Sequence, residues 1–138
     1  MHKLSLIALA LALLGAAAAE MSHEQKHRCE QYTSIFENDT TELQYAYCED
    51  IHDGRGFTAG RAGFTTGTSD GYEVVKRYTA HKANNPLAKF LPELKKLDHS
   101  HSGSTGHLHG YCTAWKEAAK DAEFRKVQDQ VSDELYFK

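Results

Sequence analysis

The chain has 138 residues, with 16 Lys and Arg against 19 Asp and Glu, a formal net charge of −3, and 41% hydrophobic residues. That length holds one domain with one modest core. Its mildly acidic balance weighs against nucleic acid or an anionic membrane as partner. Residues 1–19 read as a leader. Lys3 gives a positive start, residues 4–14 form an almost unbroken apolar run, and Ala17-Ala18-Ala19 supplies the small residues a signal peptidase needs. The run falls short of the ~20 apolar residues of a bilayer-spanning helix. The expectation is a secreted, extracellular protein whose mature part, residues 20–138, is off the membrane after cleavage and monomeric.

Ser22 with Gln25 fits a capping box, in which each side chain serves the other's backbone N–H. Cys29, Tyr32, Ile35 and Phe36 follow at helical spacing, which predicts a helix over 23–37. Glu37 then sits at a helix C-terminus, where the negative end of the dipole disfavours a carboxylate and favours an acid. Residues 43–51 read as an extended segment leading into Asp53-Gly54, a tight-turn dipeptide. Residues 57–65 read as one returning strand, loosened by Gly60 and Gly63. Gly67-Thr68-Ser69-Asp70 ends it and caps a helix running to about His81. Asn85-Pro86 reads as a helix start, Pro92 as the divider of two short helices, and residues 98–110 as a Ser, Gly and His-rich loop. A last helix is expected from Thr113, with Trp115, Ala118, Ala119, Ala122 and Val127 inward. The fold class is therefore α+β, mainly helical, with a small β-hairpin.

Between Glu37 and Glu73 stand eight acidic residues and only two basic ones, Arg55 and Arg61. If they share a surface, it attracts a cationic ligand. A Glu at a helix end followed by an Asp on a hairpin is also an arrangement suited to glycoside hydrolysis, where one carboxyl protonates the leaving oxygen and the other activates water. Other chemistry finds less support. His99, His101, His107 and His109 form two H-x-H pairs, but a compositional tract fixes no ligand geometry, so neither a metal nor any other cofactor is expected. Asn38-Asp39-Thr40 matches a glycosylation sequon and is read as chance. Cys29, Cys48 and Cys112 allow one bridge in three pairings, and the sequence does not choose among them.

Several segments together resemble the chitosanases of glycoside hydrolase family 46. They are Ser34-Ile35-Phe36-Glu37-Asn38, Glu49-Asp50-Ile51-His52-Asp53-Gly54-Arg55-Gly56-Phe57-Thr58-Ala59-Gly60, and Gly63-Phe64-Thr65-Thr66-Gly67-Thr68-Ser69-Asp70. Asn85-Pro86-Leu87-Ala88-Lys89-Phe90-Leu91-Pro92, His101-Ser102-Gly103, Trp115-Lys116-Glu117-Ala118-Ala119-Lys120-Asp121 and Tyr136-Phe137 follow in the same order. The resemblance implies a lysozyme-like two-lobed fold that holds chitosan, a cationic polysaccharide, in a cleft. It further implies endo-hydrolysis of β-1,4 glucosamine linkages with inversion. Within it Glu37 matches the catalytic acid, Asp53 the base, and Thr58 the residue that helps place the water. Asp70 matches a substrate-binding position, and Tyr47, Glu49, Arg55 and Tyr136 fall where the cleft is shaped. The family continues well past Tyr136-Phe137, so a domain truncated at its C-terminal end is expected. The alternative reading is a catalytically inactive chitosan-binding protein.

Overall fold

The computed structural model describes residues 21–38 and 42–137, the side chains of 33–38 excepted. The leader expected over 1–19 and the sequon residues Asp39 and Thr40 lie outside the described residues. Helix α1 spans His23–Asn38. Its start is the expected reciprocal cap: the Ser22 N–H donates to Gln25 Oε1 at 2.8 Å, and the Gln25 N–H donates to Ser22 Oγ at 3.2 Å.

Three strands follow, β1 (Cys48–Asp50), β2 (Phe57–Ala59) and β3 (Phe64–Thr65), antiparallel and in the order β1-β2-β3. Only the end of the 43–51 segment is strand. The single strand expected over 57–65 is two, because the chain reverses between Gly60 (φ 77°) and Gly63 (φ 67°). At Gly60 a Cβ would fall 2.7 Å from Trp115, so both the turn and the packing require glycine there. Glu49 pairs with Thr58 and Thr58 with Thr65, which fixes which side chains share a face of the sheet.

Helix α2 (Ser69–His81) is followed by a 3-10 turn (Ala88–Phe90) and α3 (Leu91–Ser100). Asn85 starts the 3-10 turn rather than an α-helix. Its Oδ1 accepts from the Leu87 N–H at 2.8 Å, and its Nδ2 donates to the Lys82 carbonyl at 2.7 Å. Pro92 occupies the first turn of α3, where its missing N–H costs nothing. The long last helix is also two, α4 (Tyr111–Ala118) and α5 (Ala122–Tyr136). Asp121 makes the break by capping α5, its carboxylate accepting from the Glu123 N–H at 3.0 Å. Ala122, expected inward, is exposed in that first turn.

The core lies between α2, the 3-10 turn, α3, α4, α5 and the sheet. Trp115 is its centre, 4.8 Å from the Phe124 ring and 5.9 Å from Tyr111, with Tyr78 closing on Phe124 at 4.7 Å. The indole N–H donates to the Tyr45 carbonyl at 2.9 Å, so the largest buried side chain also has its polar atom satisfied. Cys48 of β1 is bridged to Cys112 of α4, which resolves the pairing left open by sequence and ties the sheet to the helical body. Cys29 stays outside that bridge and is exposed. Among the described residues, no helix is long and apolar enough to cross a membrane.

Candidate active site

The turn between β1 and β2 is ordered by its own charged side chains. The Asp53 carboxylate accepts from the Arg55 backbone N–H at 3.0 Å and from Arg55 Nε at 2.8 Å, with Nη2 2.7 Å away. These bonds from Arg55 hold the Asp53 carboxyl below its ordinary range, so it stays ionised in weak acid. Asp50 helps shape the same turn by accepting from the His52 N–H at 2.9 Å, where His52 adopts a left-handed φ of 54°. An ionised, exposed carboxylate on a fixed turn suits a base that takes a proton from water.

Two glycines press on this turn from behind. The Gly67 N–H donates to the Arg55 carbonyl at 2.8 Å. Gly103 packs so closely that a Cβ there would lie 2.0 Å from the Gly54 carbonyl oxygen. The histidine-containing loop thus has a structural reason for its His101-Ser102-Gly103 segment: it buttresses the turn that presents Asp53. The loop expected from residue 98 begins only after Ser100, so His99 is on α3; it and the loop's His101, His107 and His109 are exposed. Among the described residues, no group of three or more His, Cys, Asp or Glu is placed to hold a metal ion.

Thr58 lies on β2, opposite both Glu49 and Thr65. It is 8% exposed, and its buried hydroxyl has no hydrogen-bond partner among the described residues. A buried hydroxyl without a protein partner is a polar group that the fold itself leaves unsatisfied. On the outer part of the sheet, Tyr47 donates to Glu49 Oε2 at 3.4 Å. Burial, then the Glu49 charge, raises the Tyr47 phenol pKa.

Asp70 and Tyr136 meet. One oxygen of Asp70 accepts from the Thr65 N–H at 3.0 Å, Thr68 Oγ1 at 2.6 Å and the Gly71 N–H at 2.8 Å. The other accepts from the Tyr136 hydroxyl at 2.8 Å. Burial and that hydrogen bond push the Tyr136 phenol up to about 12, while the Arg55 charge pulls the other way. Asp70 thus links β3, the start of α2 and the end of α5, and keeps one oxygen facing a tyrosine that is half exposed.

The structure therefore gathers Asp53 with Arg55, Tyr47 with Glu49, and Asp70 with Tyr136, with Thr58 in the sheet between. Glu37 lies in the last turn of α1, which contains no basic residue; its side chain is outside the described residues. Two features escaped the sequence reading. Arg61, in the β2–β3 turn, is nearly buried between carboxylates, and only its glycine-flanked position hinted at a fixed turn. Tyr111, read as neither core nor site, is fully buried and stacks on Phe57 at 5.7 Å.

Comparison with known proteins places this architecture. The model of glycosyl hydrolase family 46 matches residues 31–138. A chitosanase of Bacillus subtilis (strain 168) is 55% identical over 120 residues, covering 87% of this chain and 43% of that protein. The crystal structure of native chitosanase from Bacillus subtilis MY002 superposes with a TM-score of 0.80 at 55% identity, over 84% of this chain and 48% of the other. The Gynuella sunshinyii chitosanase in complex with chitotetraose gives 0.81 at 47% identity, over 85% and 48%. These relatives define the class as a mainly helical, lysozyme-like α+β fold. The chain belongs to glycosyl hydrolase family 46, and it spans about half the length of the curated relatives it matches.

Proposed function

We propose that the chain is the N-terminal portion of a secreted chitosanase that hydrolyses β-1,4 glucosamine linkages of chitosan, within the chain, by an inverting mechanism. The observation that carries this reading is Asp53, an exposed carboxylate held ionised by Arg55 on a buttressed turn. Glu37 donates its proton to the glycosidic oxygen as the C1–O bond breaks. Water attacks C1 from the opposite face, and Asp53 accepts the proton that the water loses. The Thr58 hydroxyl holds that water. Inversion requires the two carboxyls to stand roughly 6.5–9.5 Å apart so that water fits between substrate and base. Asp70 with Tyr136, Tyr47 with Glu49, and Arg55 shape the substrate groove, whose carboxylates attract the ammonium groups of glucosamine. Two solved relatives are complexes with 6 GlcN and with chitotetraose, which supports an amino-sugar ligand. Export follows from the leader at residues 1–19 with cleavage after Ala19, which N-terminal sequencing of the secreted protein checks.

Reducing-end release from chitosan by wild type, Glu37→Gln and Asp53→Asn tests the assignment. Activity is expected only for wild type, and equal rates for all three would sink it. Proton NMR of the first product should show the α-anomer; initial β-anomer means retention. The half-length match to the relatives keeps a binding-only reading in the same experiment. Calorimetric binding of chitosan oligomers without turnover identifies it.

A further inference from the structure

We propose that Arg61 is a positioning residue for the catalytic acid: from the β2–β3 turn it fixes helix α1, and with it position 37, relative to the sheet that carries Asp53 and Thr58. The inference rests on the reading of Glu37 as that acid.

The Arg61 side chain is 3% exposed and lies between two carboxylates from different elements. One Nη pairs with Glu30 of α1, and the other lies 3.0 Å from Asp129 of α5. A guanidinium does not give up its proton in proteins, so this buried charge depends on its carboxylates. The turn beneath it is anchored too. The Arg61 N–H donates to Gln128 Oε1 at 3.1 Å, Gln128 Nε2 donates to the Tyr45 carbonyl at 3.1 Å, and the Tyr45 hydroxyl donates to Asp129 at 2.8 Å. Arg61 is therefore a fork with one prong on the helical body and the other on α1.

Among its described side chains, helix α1 has few other attachments. From His23 to Tyr32 its side chains are exposed except Lys26, Glu30 and Gln31, so this stretch has little apolar surface docked. Among the described side chains, Lys26, 3.9 Å from Asp133 of α5, is a looser second attachment. Glu30 and position 37 are seven residues apart, which is two turns on one face and about 10.5 Å along the axis. A displacement at Glu30 is carried to position 37 by the rigid helix between them. Without Arg61, Glu30 and Asp129 face each other as like charges and push α1 away. Lysine does not restore the fork, since one ammonium cannot present two parallel donor edges.

The test combines amide hydrogen exchange with chitosan hydrolysis on the full chain, for wild type, Arg61→Met, Arg61→Lys and Glu30→Gln. In Arg61→Met, amides of α1 should exchange about tenfold faster, with those of α2 and α4 little changed. Its kcat should fall about 10–100-fold with KM nearly constant, the signature of a misplaced group rather than lost binding. Glu30→Gln, which keeps a hydrogen-bond acceptor, should lie between that variant and wild type. Unchanged α1 exchange in Arg61→Met overturns the proposal, as does a rise in KM at constant kcat. If Arg61→Met does not fold, the same criteria apply to Arg61→Lys. If wild type itself does not hydrolyse chitosan while α1 still loosens, the catalytic reading fails and the anchoring of α1 stands.

Discussion

In the β1–β2 turn, residues 51–55 are all exposed, and their order comes from hydrogen bonds to Asp50 and Asp53 and from glycines packed against the backbone. Around Trp115 the opposite holds: Phe64, Tyr78, Tyr111 and Phe124 are excluded from water, and ring contacts carry the packing. The turn spends its polar groups on holding one carboxylate ionised and accessible. The helical body supplies the rigidity behind it through the Cys48–Cys112 bridge and the Trp115 bond to Tyr45. Chemistry and stability are thus separable here by region, and substitutions can test that separation.

The largest effect should come from Asp53→Asn, which removes the proposed base. A rate loss of about 10²–10⁴-fold is expected, with thermal unfolding nearly unchanged; a large drop in Tm would mean that the turn supports the fold after all. Trp115→Ala should show the reverse, a loss of about 3–5 kcal/mol in denaturant unfolding, with activity proportional to the fraction folded. Gly103→Ala should break the separation deliberately. Its Cβ meets the Gly54 carbonyl, so a cost of about 1–3 kcal/mol should appear together with reduced kcat, because the turn moves.

Arg55→Gln sharpens the comparison on the chemical side alone. In the wild type the folded Asp53 carboxyl lies below the unfolded value, so the contribution to stability is present above the ordinary carboxylate range and fades as pH falls through the lowered pKa. Removing the guanidinium returns Asp53 toward its ordinary value. The acidic limb of the pH–rate profile should therefore move to higher pH. The smallest effect is expected for Tyr136→Phe. It removes one partly exposed hydrogen bond to Asp70, about 0.5–1.5 kcal/mol at most, and should show chiefly in KM for chitosan oligomers.

What the sequence determined by itself was whatever depends on near neighbours. Ser22 and Gln25 predict their reciprocal cap because the partners are one helical turn apart. Asp53-Gly54 predicts its turn, and Trp115, Ala118, Ala119 and Val127, read as inward, are buried. Family resemblance added roles that no local pattern contains. Where a local signal pointed two ways, the reading failed: Gly60 and Gly63 loosen a strand or reverse it, and Asp121 sits within a helix or starts a new one.

The tertiary structure alone decided the contacts between distant parts of the chain. The choice of Cys48 with Cys112, the seat of Tyr136 on Asp70, the packing of Gly103 against Gly54 and the pairing of Arg61 with Glu30 and Asp129 all belong here. Each depends on how β-sheet and helices dock, which is set by apolar burial around Trp115 rather than by any local pattern. The residues proposed to do chemistry were legible early because their turn is local. What braces that turn from behind became visible only when the chain was folded.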